Sequence, residues 1–362
     1  MRLPALCVLL CLSKLYLGAS SASCGCSPVV IPVHVDVLVP KNATDIFAGL
    51  KSNSSSLRLV DDTYNIYGVF CQPQTVAPQY LDILQLLVHG MTYTSQYWSP
   101  PTEEFRNYSY VAFSCDRGLS SIAIDWLGVG LSFRPENASD VQYPSVSAAI
   151  SQIALHLKTT SVLPGVEPFR KIIGIGHSTG SYLLNFGAIV DARSPFDALV
   201  LTSSLIPTTS PSVSLDILSA RDADPLRWGR LDLAYVTTTD NRTLFYPVDP
   251  TSFSARMLLF DAFTRDVGSM STLVQGPSAS ITATHYTGPV AKVVGSEDQI
   301  FCAGTDRCAD VAALTAAESV LWPAAEIFEV MVSHGSGHDL NLDFFAEGVF
   351  HMFVALVDKF SA

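Results

Sequence analysis

The sequence predicts an α/β fold: a mostly parallel eight-stranded sheet with helices on both faces and one partly helical insertion. Three observations carry that expectation. Apolar runs of strand length are followed, in the later part of the chain, by segments of helical period, as parallel crossover units require. The rhythm breaks only between about Ile206 and about Tyr286, where prolines and serines are frequent. With 362 residues, 48% of them hydrophobic and 15% charged, the chain can bury one large core.

Taken in order, the chain opens with "MRLPALCVLLCLSKLYLGASSAS". Arg2, the apolar core Leu3 to Leu12 and the small residues near Ala22 read as a cleaved signal peptide over residues 1–22. Lys14 breaks that run, and no later stretch reaches the roughly 18 apolar residues of a membrane helix, so a soluble, secreted protein without a membrane span is expected. Residues 23–205 form the first part of the core, with strands in "VVIPVHVDVLV", "IYGVFC", "ILQLLVHG", "SIAIDW", "KIIGIG" and "DALVLTS" and helices in "SVSAAISQIALHLKT" and "SYLLNFGAIVDA". Residues 206–286 are the insertion, expected to act as a cap; long loops in compact domains are often lids. Residues 287–362 complete the core with strands "VAKVVG" and "EIFEVMVS" and helices "CADVAALTAAESV" and "LDFFAEGVFHMFVALVDKF".

Charge and cysteines narrow the setting. Without Arg2 and Lys14, 19 of the 21 basic residues remain against 33 acidic ones, a formal charge of −14, which argues against a nucleic-acid partner. Sequons at Asn42, Asn53, Asn107, Asn137 and Asn241 are candidate glycosylation sites. Six cysteines follow the leader, at positions 24, 26, 71, 115, 302 and 308, and export would let them pair. The short loop "CAGTDRC" makes Cys302 with Cys308 the first expected bridge, and Cys71 with Cys115 the second. No CxxC pair or HxxxH spacing accompanies them, so zinc is not expected, nor is any organic cofactor.

The stretch "KIIGIGHSTGSYLLNFGAIV" sets Ser178 between Gly176 and Gly180 at the junction of a buried strand and a helix. A nucleophile on such a tight turn needs small neighbours, and the strained backbone lifts its hydroxyl above the sheet edge. By chance GxSxG falls in roughly one chain in ten of this length; its place after a buried strand makes it specific. A serine nucleophile needs a base, an acid to orient the base, and donors for an oxyanion, in the chain order Ser, Asp or Glu, His. "VVGSEDQIFC" offers Glu297 and Asp298, and "VSHGSGHDLNL" offers His334 and His338, both at carboxyl ends of expected strands. The amides of Met91, in "HGMTYTSQYW", and of Thr179 are the candidate oxyanion donors. His89 is expected to make a structural hydrogen bond, His177 to pack beneath the serine, and Asp125 to fix its loop through backbone amides.

The segments "LVHGMTYTSQYW", "IAIDWLGVGLS", "GIGHSTGSYLLNFGAIV", "DALVLTSSL", "VVGSEDQIFCAGTDRC" and "GSGHDLNL", in this order, resemble the α/β-hydrolase superfamily, and most of all its secreted fungal serine-type members. The resemblance spans roughly Gln85 to the C-terminus, insertion excepted. It implies the α/β-hydrolase fold, places the base on His338 with His334 left as a loop residue, and places the acid on Asp298 with Glu297 as the fallback. Met91 is bulkier than the small residues common at its place, which would narrow the pocket mouth or only leave the amide's role intact. Epoxide hydrolases and haloalkane dehalogenases of this fold would carry an aspartate where Ser178 stands.

The expectation is a serine hydrolase acting through an acyl-enzyme on a small-molecule carboxylic ester or lactone, less readily on an amide. A mildly apolar insertion points to an uncharged or lipophilic substrate. Two alternatives share the residues: an acyl transferase or cyclase, in which a metabolite alcohol or amine replaces water, and a binding protein that keeps the fold without the reaction.

Overall fold

A computed structural model describes residues 24–41, 56–206, 215–274 and 282–361. The leader, the sequons at Asn42 and Asn53, and parts of the insertion lie outside the described residues. The eleven strands are β1 (Cys24–Pro40), β2 (Leu57–Pro73), β3 (Ile83–Val88), β4 (Ser120–Ile124), β5 (Lys171–His177), β6 (Ala198–Thr202), β7 (Ile217–Ser219), β8 (Tyr235–Thr238), β9 (Gly268–Ser269), β10 (Val290–Gly295) and β11 (Phe328–Ser333) among the described residues. Eight of them form one sheet in the order β1-β2-β4-β3-β5-β6-β10-β11. The β1–β2 and β2–β4 pairings are antiparallel and the rest parallel. Strands β3, β4, β6 and β10 are buried at every position, as strands covered on both faces must be.

Helices α1 (Tyr110–Cys115), α2 (Tyr143–Thr159), α3 (Thr179–Val190), α4 (Ala220–Ala223), α5 (Pro225–Trp228), α6 (Ala255–Thr264), α7 (Met270–Val274), α8 (Val311–Ser319) and α9 (Ala346–Ser361) complete the described elements. One apolar cluster packs Ile150, Ile153 and Leu157 of α2 and Leu183 and Leu184 of α3 against the sheet. A second packs Tyr110 of α1 and Phe350, Phe353 and Val357 of α9, and a smaller third gathers Leu205, Val294, Leu314 and Val332 around Cys302 and Cys308. In α2, Val146, Ile150, Ile153 and Leu157 recur at the helical period, so one face is apolar and buried. No helix among the described residues is long and apolar enough to cross a membrane.

Two expectations change. Cys302 and Cys308 are bridged, but Cys71 and Cys115 are not joined to each other: the pairs are Cys24–Cys115 and Cys26–Cys71. The cause is the β1–β2 register, which sets Cys26 directly opposite Cys71. Cys24, two residues earlier and on the same strand face, then meets Cys115 at the end of α1. Strand β1 begins five residues before the first apolar run, so the sequence pattern hid this pairing. The second change is in the insertion, where β7, β8 and β9 form a small antiparallel sheet. Strands of two to four residues are too short to register as alternation.

The insertion leaves the main sheet just after β6. There Ile206 is gripped at both backbone groups: its N–H donates to the Glu318 carboxylate at 2.9 Å, and its carbonyl accepts from Arg307 Nη2 at 2.6 Å. Glu318, fully buried, also pairs with Lys292 Nζ of β10 at 2.7 Å. A buried charge needs such partners.

Candidate active site

Ser178 follows β5 directly and begins α3, with φ 50° and ψ −117°. A non-glycine residue held at positive φ is strained, and the two flanking glycines show what holds it. A Cβ on Gly176 would stand 2.6 Å from the Ser181 backbone, and one on Gly180 would collide with the carbonyl oxygens of Val88 and His89. The elbow therefore fits only with hydrogen at both positions, Gly176 pressed against the first turn of α3 and Gly180 against the end of β3.

The loop after β11 brings His338 to this serine. His338 Nε2 lies 2.9 Å from Ser178 Oγ, and its Nδ1 lies 2.9 Å from Asp298 Oδ2. The other carboxylate oxygen of Asp298 accepts from the amides of Ile300 at 2.8 Å and Phe301 at 3.2 Å. Asp298 and His338 are buried while Ser178 is part-exposed. Ser203 Oγ donates to the His338 carbonyl at 2.6 Å, and the Gly337 amide donates to Asp343 at 2.9 Å, which fixes the loop on both sides of the ring. Burial works against protonation of His338, but the charge and hydrogen bond of Asp298 outweigh it and hold the imidazole above its ordinary value. His334 is exposed, and the Glu297 carboxylate has no partner among the described residues.

The loop after β3 lies against the other side of the serine. A Cβ on Gly90 would stand 3.2 Å from Ser178 Cβ and 2.9 Å from His177 Cδ2, so Gly90 sits directly beside Ser178. His89 is buried and stacked on Trp126, with ring centroids 5.3 Å apart. Its Nε2 accepts from the Trp126 amide at 3.4 Å, which leaves Nδ1 to donate to the Gly90 carbonyl at 2.7 Å. Burial pushes its pKa down to about 3, so it stays neutral. Across a trans peptide the N–H points away from the C=O; anchoring the Gly90 carbonyl on His89 thus turns the Met91 N–H to the opposite side. Neither the Met91 nor the Thr179 amide donates to an acceptor among the described residues. Asp125 accepts from the amides of Ser95 at 2.7 Å and Leu131 at 2.9 Å, a loop-fixing arrangement.

Beneath the serine lies a buried polar group the sequence did not reveal. His177 Nε2 is 3.2 Å from Asp339 Oδ1, and its ring stacks on Tyr97 with centroids 4.2 Å apart. Tyr93 donates its hydroxyl hydrogen to Asp339. Arg242, fully buried, pairs through Nε with Asp261 at 2.8 Å, and its guanidinium lies 4.5 Å from the Tyr93 ring centre and 4.7 Å from that of Phe245. Burial opposes the charge of Arg242, but Asp261, Tyr93 and Asp339 more than compensate and raise its pKa. Burial raises the pKa of Asp339 and of Asp261 alike, and drives that of His177 well down, with His338 adding to the effect. Two acids following the base in "GHDLNLD" were the available signal; Arg242, in the polar run "TTTDNRTLF", looks like a surface residue. An apolar groove of about 430 Å³ along β1, α2 and α3 shares no lining residue with this site.

Residues 85–349 match the model of the alpha/beta hydrolase family. The fold is similar to an esterase from Thermogutta terrifontis, at 13% identity and TM-score 0.52 over 92% of this chain and 100% of that one. It is similar to an esterase from Exiguobacterium antarcticum, at 13% identity and TM-score 0.52 over 83% and 96%. It is also similar to an epoxide hydrolase from Vigna radiata, at 14% identity and TM-score 0.51 over 82% and 95%. These are likenesses of fold, shared by enzymes of different chemistry. No curated protein sequence matches the chain.

Proposed function

The chain belongs to the alpha/beta hydrolase family, and from that premise we propose that it is a secreted serine hydrolase cleaving a carboxylic ester or lactone. In this reading Ser178 Oγ attacks the carbonyl carbon while His338 Nε2 takes its proton. Asp298 holds the ring and balances the imidazolium, and the Met91 and Thr179 amides stabilise the oxyanion. His338 then gives its proton to the leaving alcohol. Water, deprotonated by the same ring, releases the acid and restores Ser178.

The observation that carries the reading is the pair of 2.9 Å contacts through which His338 links Ser178 to Asp298. The likeness to esterases adds to it, and a serine at position 178 speaks against epoxide opening through an aspartyl ester. Phe245 and Phe301 pack on His338, each with its ring centre 5.8 Å away; such surroundings suit an uncharged, lipophilic acyl group. The insertion serves as a cap over this edge. Asn107, Asn137 and Asn241 are exposed and open to glycans.

Labelling the purified protein with a fluorophosphonate, followed by an ester panel graded in chain length, tests the proposal. Wild type should label at Ser178 and hydrolyse esters. Ser178→Ala and His338→Ala should lose several orders of magnitude in kcat while His334→Ala keeps wild-type turnover. Full activity in Ser178→Ala would overturn the reading.

A further inference from the structure

The loop that presents Met91 is strained and held from outside. Thr92, the next residue, is buried and sits at φ 63°, a left-handed conformation that a β-branched residue adopts only when its surroundings impose it. Two of its restraints come from the insertion. Arg242 Nη1 donates to Thr92 Oγ1 at 3.0 Å, and the Asp266 amide donates to the Thr92 carbonyl at 2.9 Å. Arg242 Nη1 also donates to Thr238 Oγ1 of β8 at 2.7 Å, so the guanidinium joins the small sheet of the insertion to the loop. On the other side of Met91, His89 holds the Gly90 carbonyl. The Met91 peptide is thus clamped at both ends, by the core at Gly90 and by the insertion at Thr92.

We propose that Arg242 is a positioning residue for the oxyanion: by holding Thr92 Oγ1 it keeps the backbone that aims the Met91 N–H at the developing charge. This rests on the reading of Ser178 as an acyl-forming nucleophile. It makes docking of the insertion and completion of the oxyanion site a single event, so the insertion does more than cover the substrate. A donor aimed in advance stabilises the oxyanion without reorganising during the reaction. Arg242 suits the task because Asp261 and the two aromatic faces fix its fork in place.

The discriminating variant is Thr92→Ala, which removes the hydroxyl and eases rather than adds strain at positive φ. Its kcat for a short-chain ester should fall about tenfold to a hundredfold with KM within about twofold. The inhibition constant of a trifluoromethyl ketone, whose serine adduct carries the oxyanion, should rise by the factor that kcat/KM falls. Thr92→Ser should recover most of the loss. Arg242→Met should lose at least as much kcat, and adding Thr92→Ala to it should cost less than about another twofold, because the two act as one unit. Thr92→Ala that keeps wild-type kcat and ketone affinity while only melting earlier would overturn the proposal, and this comparison stands even where Arg242→Met does not fold. A wild-type protein that neither labels with fluorophosphonate nor binds the ketone would instead remove the nucleophile itself, and the proposal with it.

Discussion

The main sheet and the insertion hold their residues in place by different means. Ser178, Asp298 and His338 stand just beyond β5, β10 and β11, and their spacing follows from parallel strand register and from loops into which only glycine fits. Gly295 and Gly337 leave no room for a side chain: a Cβ on the first would collide with the carbonyls of Ser336 and Gly337, and one on the second would stand 2.5 Å from the Pro247 nitrogen. The insertion has strands of two to four residues and instead docks through polar contacts: Asp266 to Thr92, Arg242 to Thr92, the Asp339 amide to the Phe245 carbonyl at 2.8 Å, and Gln299 to the Tyr246 carbonyl at 2.9 Å. Each reaches a loop that carries part of the site. The sheet sets where Ser178, Asp298 and His338 stand, and the insertion sets how the surrounding loops are finished. Substitutions in the two regions should therefore fail differently.

The largest contrast lies at the sheet edge itself. Asp298→Asn should lower kcat by roughly 10⁴-fold, because the amide leaves His338 in the wrong tautomer and without a counter-charge. Glu297→Gln, one residue away and without a side-chain partner among the described residues, should stay within about twofold. Steady-state kinetics on one activated ester checks both. The reverse ranking would move the acid, and equal small losses would place it beyond another strand.

Next come two glycines given the same change. In Gly180→Ala the new methyl meets the Val88 and His89 carbonyls, which are backbone and cannot move without displacing β3. Activity should fall by more than about a hundredfold, with stability reduced by roughly 1–3 kcal/mol. In Gly268→Ala the methyl meets Met91 Cε and Cγ at 3.1 Å, the end of a flexible side chain. KM should change by about twofold to fivefold and kcat little. A large kcat loss in Gly268→Ala would mean that the insertion sets the Met91 backbone through this contact too.

This division also explains what could be read from the sequence. Burial on both faces gave β3, β5, β6 and β10 continuous apolar runs, and the elbow needs glycines at fixed spacing, so the sheet and Ser178 were legible. Position after the last two long strands narrowed the other two groups only to His334 or His338 and to Glu297 or Asp298; the family resemblance chose His338 and Asp298, the two whose side chains line up with Ser178. Cys26 opposite Cys71 was not legible, since strand register is a pairing between segments and leaves no local mark. Arg242 was not, because a polar loop residue becomes buried only through the docking of the whole insertion. Thr92 gave no sign either: nothing in its neighbours demands a positive φ until Arg242 and Asp266 are in place.

The pH profile separates the regions again. In the proposed mechanism His338 must be neutral to accept the serine proton, and although burial works against protonation Asp298 holds its pKa above the ordinary 6.5. The acid limb of kcat/KM should therefore have its midpoint above pH 6.5, with activity falling about tenfold per unit below it. Asp298→Asn should move that midpoint down, since burial is then opposed only by the more weakly acting Asp339. Gly268→Ala should leave it where it is. A midpoint well below 6.5 in the wild type would mean that burial, not Asp298, dominates the ring.

The smallest effect belongs to the bridge that touches both regions. Cys302 and Cys308 close a short loop whose first end hydrogen-bonds back to the acid's backbone: the Asp298 carbonyl accepts from the Cys302 and Ala303 amides, each at 2.8 Å. Its other end carries Arg307, which grips Ile206 at the root of the insertion and pairs with Glu318 at 2.9 Å. The Asp298 carboxylate, however, is held by the Ile300 and Phe301 amides, which precede the bridge. Replacing both cysteines by alanine should cost about 2 kcal/mol in the chain-entropy picture, a Tm drop of a few degrees. kcat should fall by no more than about fivefold, since the carboxylate keeps its own two donors. Thermal unfolding and kinetics on the double variant, with non-reducing peptide mapping of the wild type, decide it. A kcat loss beyond a hundredfold would show that the clamp aims the acid, making the division between sheet edge and insertion less sharp than drawn. An unchanged Tm would show that Arg307 and Glu318 hold the segment without it.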